Sequence, residues 1–212
     1  MTKLMQFGTS PHPDDTATLV GLVTSANVDL LAGWAGQRTA DLESDVNELV
    51  RRRAPHVSVY GLTLEPGTPL LQMAQVGRNV IVSNAQLELY DTNWNSILTG
   101  AGYERYEVSN FAMPGARSRH NQVYWRNGDY LGLGPGASSS RHPLRWSNVR
   151  SSRTYLEGVA SRRSVRARVE RLAPEERLLE TLGVGLRTRD GILVAELDRR
   201  FGGAWRPRLG GA

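Results

Sequence analysis

Val28-Asp29-Leu30-Leu31-Ala32-Gly33 (residues 28–33) and His56-Val57-Ser58-Val59-Tyr60-Gly61-Leu62 (residues 56–62) decide the fold. Each is a short, nearly continuous apolar run at a glycine, the pattern of a buried parallel strand. Between them Thr39-Ala40-Asp41-Leu42-Glu43 supplies an N-cap, and Leu42, Val46, Leu49 and Val50 recur at helical spacing until Pro55 forbids continuation. Strand, helix and strand predict a right-handed βαβ unit. Further on, Glu65-Pro66-Gly67-Thr68-Pro69 is a loop rich in turn residues. Residues 80–101 form another helical segment through Ile81, Ala85, Leu89, Trp94, Ile97 and Leu98, and Tyr103 to Phe111 alternates as a further strand. Upstream, Ser10-Pro11-His12-Pro13-Asp14-Asp15 is a turn or helix-start cluster, with one short helix expected over residues 14–25. The class is α/β, yet two parallel strands cannot make a covered sheet. Either the missing strands were never present or the chain is cut from something larger.

From Pro114 to Ser140 the composition shifts to glycine, arginine, asparagine and aromatics, which suits a functional loop region better than a core. Gly132, Gly134 and Gly136 bring backbone close to something. The stretch is not a phosphate loop, because Pro135 removes an amide donor and neither a Walker lysine nor G-x-G-x-x-G spacing is present. Ser138, Ser139 and Ser140 with His142 lack the G-x-S-x-G elbow of a serine hydrolase. Pro174-Glu175-Glu176 starts a helix carrying Leu178, Leu179, Leu182 and Val184, and Ile192 to Phe201 offers another. Residues 172–202 are therefore expected as a small helical module, with Trp205 to Ala212 a loose tail.

Composition narrows the chemistry. The chain has 212 residues, 40% of them hydrophobic, enough for a respectable core. Its longest apolar run, around Val28 to Gly36, stops after about nine residues, too short to span a bilayer. Met1 to Ser10 lacks a secretory pattern, so the default location is cytoplasmic. A cysteine count of zero removes disulfides, thiolate zinc sites, cysteine nucleophiles and cysteine-ligated iron–sulfur clusters together. The net charge of +5 is carried almost wholly by arginine, Lys3 being the only lysine. The one dense cluster, Arg162, Arg163, Arg166, Arg168 and Arg171, is flanked by Glu157 and Glu170 and has Tyr155 as its lone aromatic. It is expected as a solvated helix face, with no nucleic-acid partner, since polyanion affinity needs a broad basic face.

His120-Asn121-Gln122-Val123-Tyr124-Trp125 is the densest set of cofactor-capable groups. In a helix, His120 stands beside Tyr124 and Asn121 beside Trp125 at i,i+4. Imidazole is the usual axial ligand of haem iron, phenolate a rarer one, and an indole can lie against a macrocycle. Arg117 and Arg119 could fork onto propionates. The same residues also read as packing aromatics beside a hydrogen-bonded surface histidine, and the residues alone leave both readings open. Asp29, placed at the carboxyl end of the first strand, lies where open α/β sheets and barrels place ligand contacts, or else is an ordinary loop-capping aspartate.

These residues carry a family likeness. Val28-Asp29-Leu30-Leu31 with Gly33 and Gly36-Gln37, then residues 56–68, then Tyr106-Glu107-Val108-Ser109-Asn110-Phe111-Ala112, resemble the oxygen-independent coproporphyrinogen III oxidase family of radical SAM proteins. His120-Asn121-x-x-Tyr124-Trp125 narrows the resemblance to the HemW-type haem-chaperone branch, and the likeness runs on through residues 130–137 to Gly191, covering about residues 27 to 202. It implies the carboxyl-terminal part of a TIM-like radical SAM partial barrel followed by a small, mainly helical module. The expected division is 1–112 for the incomplete barrel, 113–171 for the HNxxYW and glycine-rich connecting region, and 172–212 for a shortened HemN-type module.

The resemblance also implies haem binding and transfer to a haem-accepting protein, with His120, Asn121, Tyr124 and Trp125 at the haem and His120 on its iron. It implies S-adenosylmethionine near Asp29, Leu31 and Thr63, and a 4Fe-4S cluster. It admits peripheral contact with membrane-bound acceptors, without an integral membrane segment. The alternative is one piece of a coproporphyrinogen-oxidase-like enzyme of porphyrin biosynthesis. The family's CxxxCxxC motif is absent, Ala35 replaces a usual proline, and Ser138 stands where histidine is common. The chain is accordingly expected to be an amino-terminally truncated fragment, not catalytic alone.

Overall fold

Burial alternates along β1 (Asn27–Ala32): Val28, Leu30 and Ala32 are inside, Asp29 is half-buried, and Asn27 and Leu31 are exposed. The strand pairs in parallel with β2 (His56–Gly61), Asp29 opposite Ser58 and Leu31 opposite Tyr60. Side chains alternate across a strand, so one sheet face carries Val28, Leu30, Val57 and Val59, and the other carries Asp29, Leu31, His56, Ser58 and Tyr60. The apolar face packs on α1 (Thr39–Arg51) through Leu42, Val46 and Leu49, and on Tyr90, Trp94 and Leu98 of a later helix. Leu42, Val46 and Leu98 are essentially inaccessible, and burying such side chains contributes roughly 1.5–3 kcal/mol each. The expectation of fully buried strands thus fails on the second face, where Leu31 is 37% and Tyr60 42% exposed. The structure, a computed structural model, describes residues 27–209; the helix expected over 14–25 lies outside them.

Local chemistry sets the connections. Asp41 accepts the Arg38 N–H at 3.1 Å at the start of α1. Thr68 and Ser83 accept the N–H groups of Leu71 and Gln86, capping α2 (Pro69–Gln75) and α3 (Asn84–Gly100). The single strand expected over Tyr103–Phe111 is instead two short antiparallel strands, β3 (Glu104–Arg105) and β4 (Asn110–Ala112). Arg105 donates to the Val108 carbonyl and so holds the chain reversed between them. The sheet order is β1-β2-β4-β3, with β4 antiparallel to β2.

The chain divides into two compact units at Ser118/Arg119. The second unit begins with α4 (Arg119–Trp125) and contains an antiparallel sheet of β5 (Ser138–Arg141), β6 (Leu144–Asn148) and β7 (Arg166–Arg171) in that order, with α5 (Ser152–Ala160) between β6 and β7. Arg166, Arg168 and Arg171 therefore lie on a strand, and the expected helix face is corrected; Arg162 and Arg163 follow the end of α5. What Gly132 approaches is the chain's own strand β5: a Cβ there would sit 2.1 Å from the Ser138 carbonyl oxygen. Gly132 N–H donates to Ser139 Oγ, Gly134 N–H to Tyr155 Oη, and Asn148 Nδ2 to the Gly134 carbonyl. Those amides are spent internally. Helices α6 (Pro174–Gly185) and α7 (Val194–Phe201) pack around Leu178, Leu197 and Trp205. Trp205 is not in a loose tail: it is buried, within a 3-10 turn over Gly202–Leu209, and its indole donates to Asp198 at 2.9 Å.

Candidate functional site

Helix α4 brings His120 and Tyr124 onto one exposed face. The Tyr124 hydroxyl lies 3.1 Å from His120 Nε2, and the rings meet edge to face with centroids 4.9 Å apart. Tyr130 continues the stack, its centroid 4.6 Å from that of Tyr124. Asn121 and Trp125 sit one position further round the helix and are half-buried, so the four residues do not all present themselves to one open surface. Arg117 is occupied: it pairs with Glu104 at 3.0 Å and its guanidinium lies over Tyr106 in the first unit. Arg119 is exposed at the first position of α4.

The end of α4 is pinned by residues that the sequence did not mark as functional. Asn127 adopts a left-handed conformation (φ 46°) and donates to buried Thr181 of α6 at 3.0 Å. Its carbonyl lies 2.9 Å from His142 Nε2, and the Arg126 carbonyl accepts from Arg200 of α7 at 2.7 Å. The Asn127-Gly128 pair is a turn signature, and it was the available signal. His142 is thereby a positioning group for this turn.

In the first unit, Asp29 is the third of six strand residues, not at the carboxyl end as expected. It shares its sheet face with Leu31, and also with His56, whose Nε2 lies 2.7 Å from the Tyr106 hydroxyl. Burial pushes the His56 imidazole below its usual range, with the Asp29 carboxylate opposing. Burial likewise raises the Tyr60 phenol. His56 Nδ1 and Asn110 Oδ1 are buried without hydrogen-bond partners, and both residues lie on this face. Thr63 lies beyond β2, exposed, donating to Glu65 at 3.3 Å. Among the described residues no three His, Asp or Glu side chains gather as a metal site.

No family model matches the chain. It is 35% identical over 173 residues to the heme chaperone HemW of Synechocystis, a match covering 81% of this chain and 42% of that protein. With HemW of Lactococcus lactis it shares 32% identity over 175 residues (82% and 45%), and with HemW of Mycobacterium tuberculosis 35% over 189 (87% and 46%). The chain thus spans somewhat under half the length of these curated relatives. Coproporphyrinogen III oxidase (HemN) of Escherichia coli, described as a radical SAM enzyme, superposes with a TM-score of 0.73 at 16% identity over 94% of this chain and 50% of that one. The α/β sheet with its helical layer is therefore part of the radical SAM architecture seen in HemN, and the chain belongs to the HemW/HemN-like radical SAM family.

Proposed function

We propose that this chain carries the haem-binding part of a HemW-type haem chaperone, taking haem as cargo on His120 and passing it to a haem-accepting protein. The observation that carries this reading is the exposed His120–Tyr124 pair. A neutral imidazole offers one lone pair; in the tautomer protonated at Nδ1 it lies on the Nε2 that sits 3.1 Å from the Tyr124 hydroxyl, and iron would take the position of that hydrogen bond. Loading and release are then a contest between iron and a phenol for one nitrogen. HemW relatives match at 30–35% identity, against 16% for HemN, which favours the chaperone over an oxidase fragment. The acceptor is a haem-requiring protein, in solution or reached by peripheral contact at a membrane; no described helix is long and apolar enough to cross one.

The family's other groups fit unequally. A 4Fe-4S cluster does not fit this chain, which has no cysteine and gathers no alternative ligand set among its described residues; no reaction step is derived through it. S-adenosylmethionine fits better: Asp29 and Leu31 offer a carboxylate and an apolar contact on one face, and that face also carries the unpaired Nδ1 of His56 and Oδ1 of Asn110. Thr63 stands near the end of β2 as a further hydroxyl. These residues would bind and orient such a ligand.

A haem titration followed at the Soret band tests the haem reading. The wild-type chain is expected to saturate with a histidine-ligated spectrum and His120→Ala to lose it. Tyr124→Phe, which frees the nitrogen, is expected to bind about 2- to 10-fold tighter, the equivalent of one net hydrogen bond. Indistinguishable spectra for wild type and His120→Ala would remove His120 from the role.

A further inference from the structure

The geometry points to a second half of the haem site: a cavity of about 430 Å³ on the β5–β6–β7 sheet, with Arg150 and Arg168 receiving the two propionate carboxylates. This rests on the haem reading above and adds to it, since Arg117 is already committed to Glu104 and leaves only Arg119 exposed beside His120. The cavity is lined by Tyr130, Ser138, Ser139, Arg145, Arg150 and Arg168, together with Glu170. Its charges are unequally used. Arg145 binds Glu170 at 2.8 Å and also pairs with Glu180, so both carboxylates are already taken. The Arg145 hydrogen bond, with Arg168 nearby, holds the Glu170 carboxyl below its usual range, keeping that pair ionised. Arg150 and Arg168 are exposed, and their guanidinium groups make no hydrogen bond or ion pair with any described residue.

What remains is two unspent guanidinium forks above a floor of serine hydroxyls. Guanidinium matches carboxylate bidentately, and the strand places Arg168 opposite Ser147 on the same face as Arg145 and Glu170. The wall nearest α4 is Tyr130, which stacks on Tyr124, which in turn touches His120. Two ring steps of 4.9 and 4.6 Å thus lead from the iron-ligating imidazole to the cavity. Haem is a ligand with that division: a metal at its centre and two carboxylates together on one edge. Phosphates of a nucleic acid would meet the same guanidiniums, but Glu170 and Glu180 break the basic surface that a polyanion needs, and of the cavity's two ring systems, Tyr130 and Trp146, Tyr130 stacks toward His120.

The test compares haem with its dimethyl ester, in which both propionates are capped, on the full chain and on the Arg150→Gln/Arg168→Gln double variant. Wild type is expected to bind the free acid at least about tenfold more tightly than the ester. The double variant is expected to lose that preference while keeping the histidine-ligated Soret spectrum. Equal affinity of wild type for acid and ester, or an undiminished preference in the double variant, overturns the cavity assignment and leaves the His120 reading standing. A double variant that loses salt-sensitive binding of a short RNA but keeps its haem preference also overturns it. No Soret response from wild type removes both.

Discussion

His56 has its ring almost wholly out of water, one nitrogen 2.7 Å from the Tyr106 hydroxyl and the other without a partner. Burial lowers its pKa from the ordinary 6.5, so on acidification the unfolded chain takes the proton first. Its effect on stability is nil well above pH 6.5 and becomes a loss as pH falls through that value toward the depressed folded-state pKa. Urea midpoints measured between about pH 8 and pH 5.5 are expected to fall on acidification, and to fall less steeply in His56→Gln. An unchanged slope in the variant would show that His56 is not the group responsible. At this scale the sequence was informative where spacing is local: His120 and Tyr124 touch because a helix puts i and i+4 together. It was silent on His142, whose partner, Asn127, lies 15 residues away. It misplaced Asp29 because apolar strand residues do not mark where a strand ends.

Strands β1 and β2 and helices α1 and α3 were legible because each has an apolar face of the right period buried in one core. Strand β7 was not. Arg166-Ala167-Arg168-Val169-Glu170-Arg171 is almost wholly exposed at the edge of its sheet, so no hydrophobic alternation announces it. The glycine-rich segment before β5 was recognised as a close approach, but its partner, another backbone stretch, could not be read from composition. Gly132→Ala puts a methyl group 2.1 Å from the Ser138 carbonyl oxygen, a backbone atom that cannot swing aside. The expected cost is about 1–3 kcal/mol or more, read as a lower urea midpoint. Gly100→Ala, at the end of α3 where an added Cβ meets nothing within 4 Å, serves as the control and should stay within about 1 kcal/mol of wild type. Equal behaviour of the two variants would contradict the contact.

Among the described residues, the first unit has helices packed on one face of its sheet, and β1 forms an outer edge. Leu31 and Tyr60 stand opposite each other in register on the uncovered face, 37% and 42% exposed. An open edge beside an apolar patch invites pairing with another copy. Leu31→Lys is expected to lower the concentration-dependent light scattering of the chain without lowering its urea midpoint; unchanged scattering would place the association elsewhere.

The turn at Arg126–Asn127 gives the second unit a thermodynamic property of its own. Its three hydrogen bonds come from α6, α7 and the β5–β6 turn, so the orientation of His120 and the packing of the helical module are one equilibrium. A ligand held on His120 stabilises every element that must be in place for the helix to point as it does. On the proposed haem reading, bound haem would be written into the stability of α6 and α7, and a protein meeting those helices would meet a different surface when the chain is loaded than when it is empty.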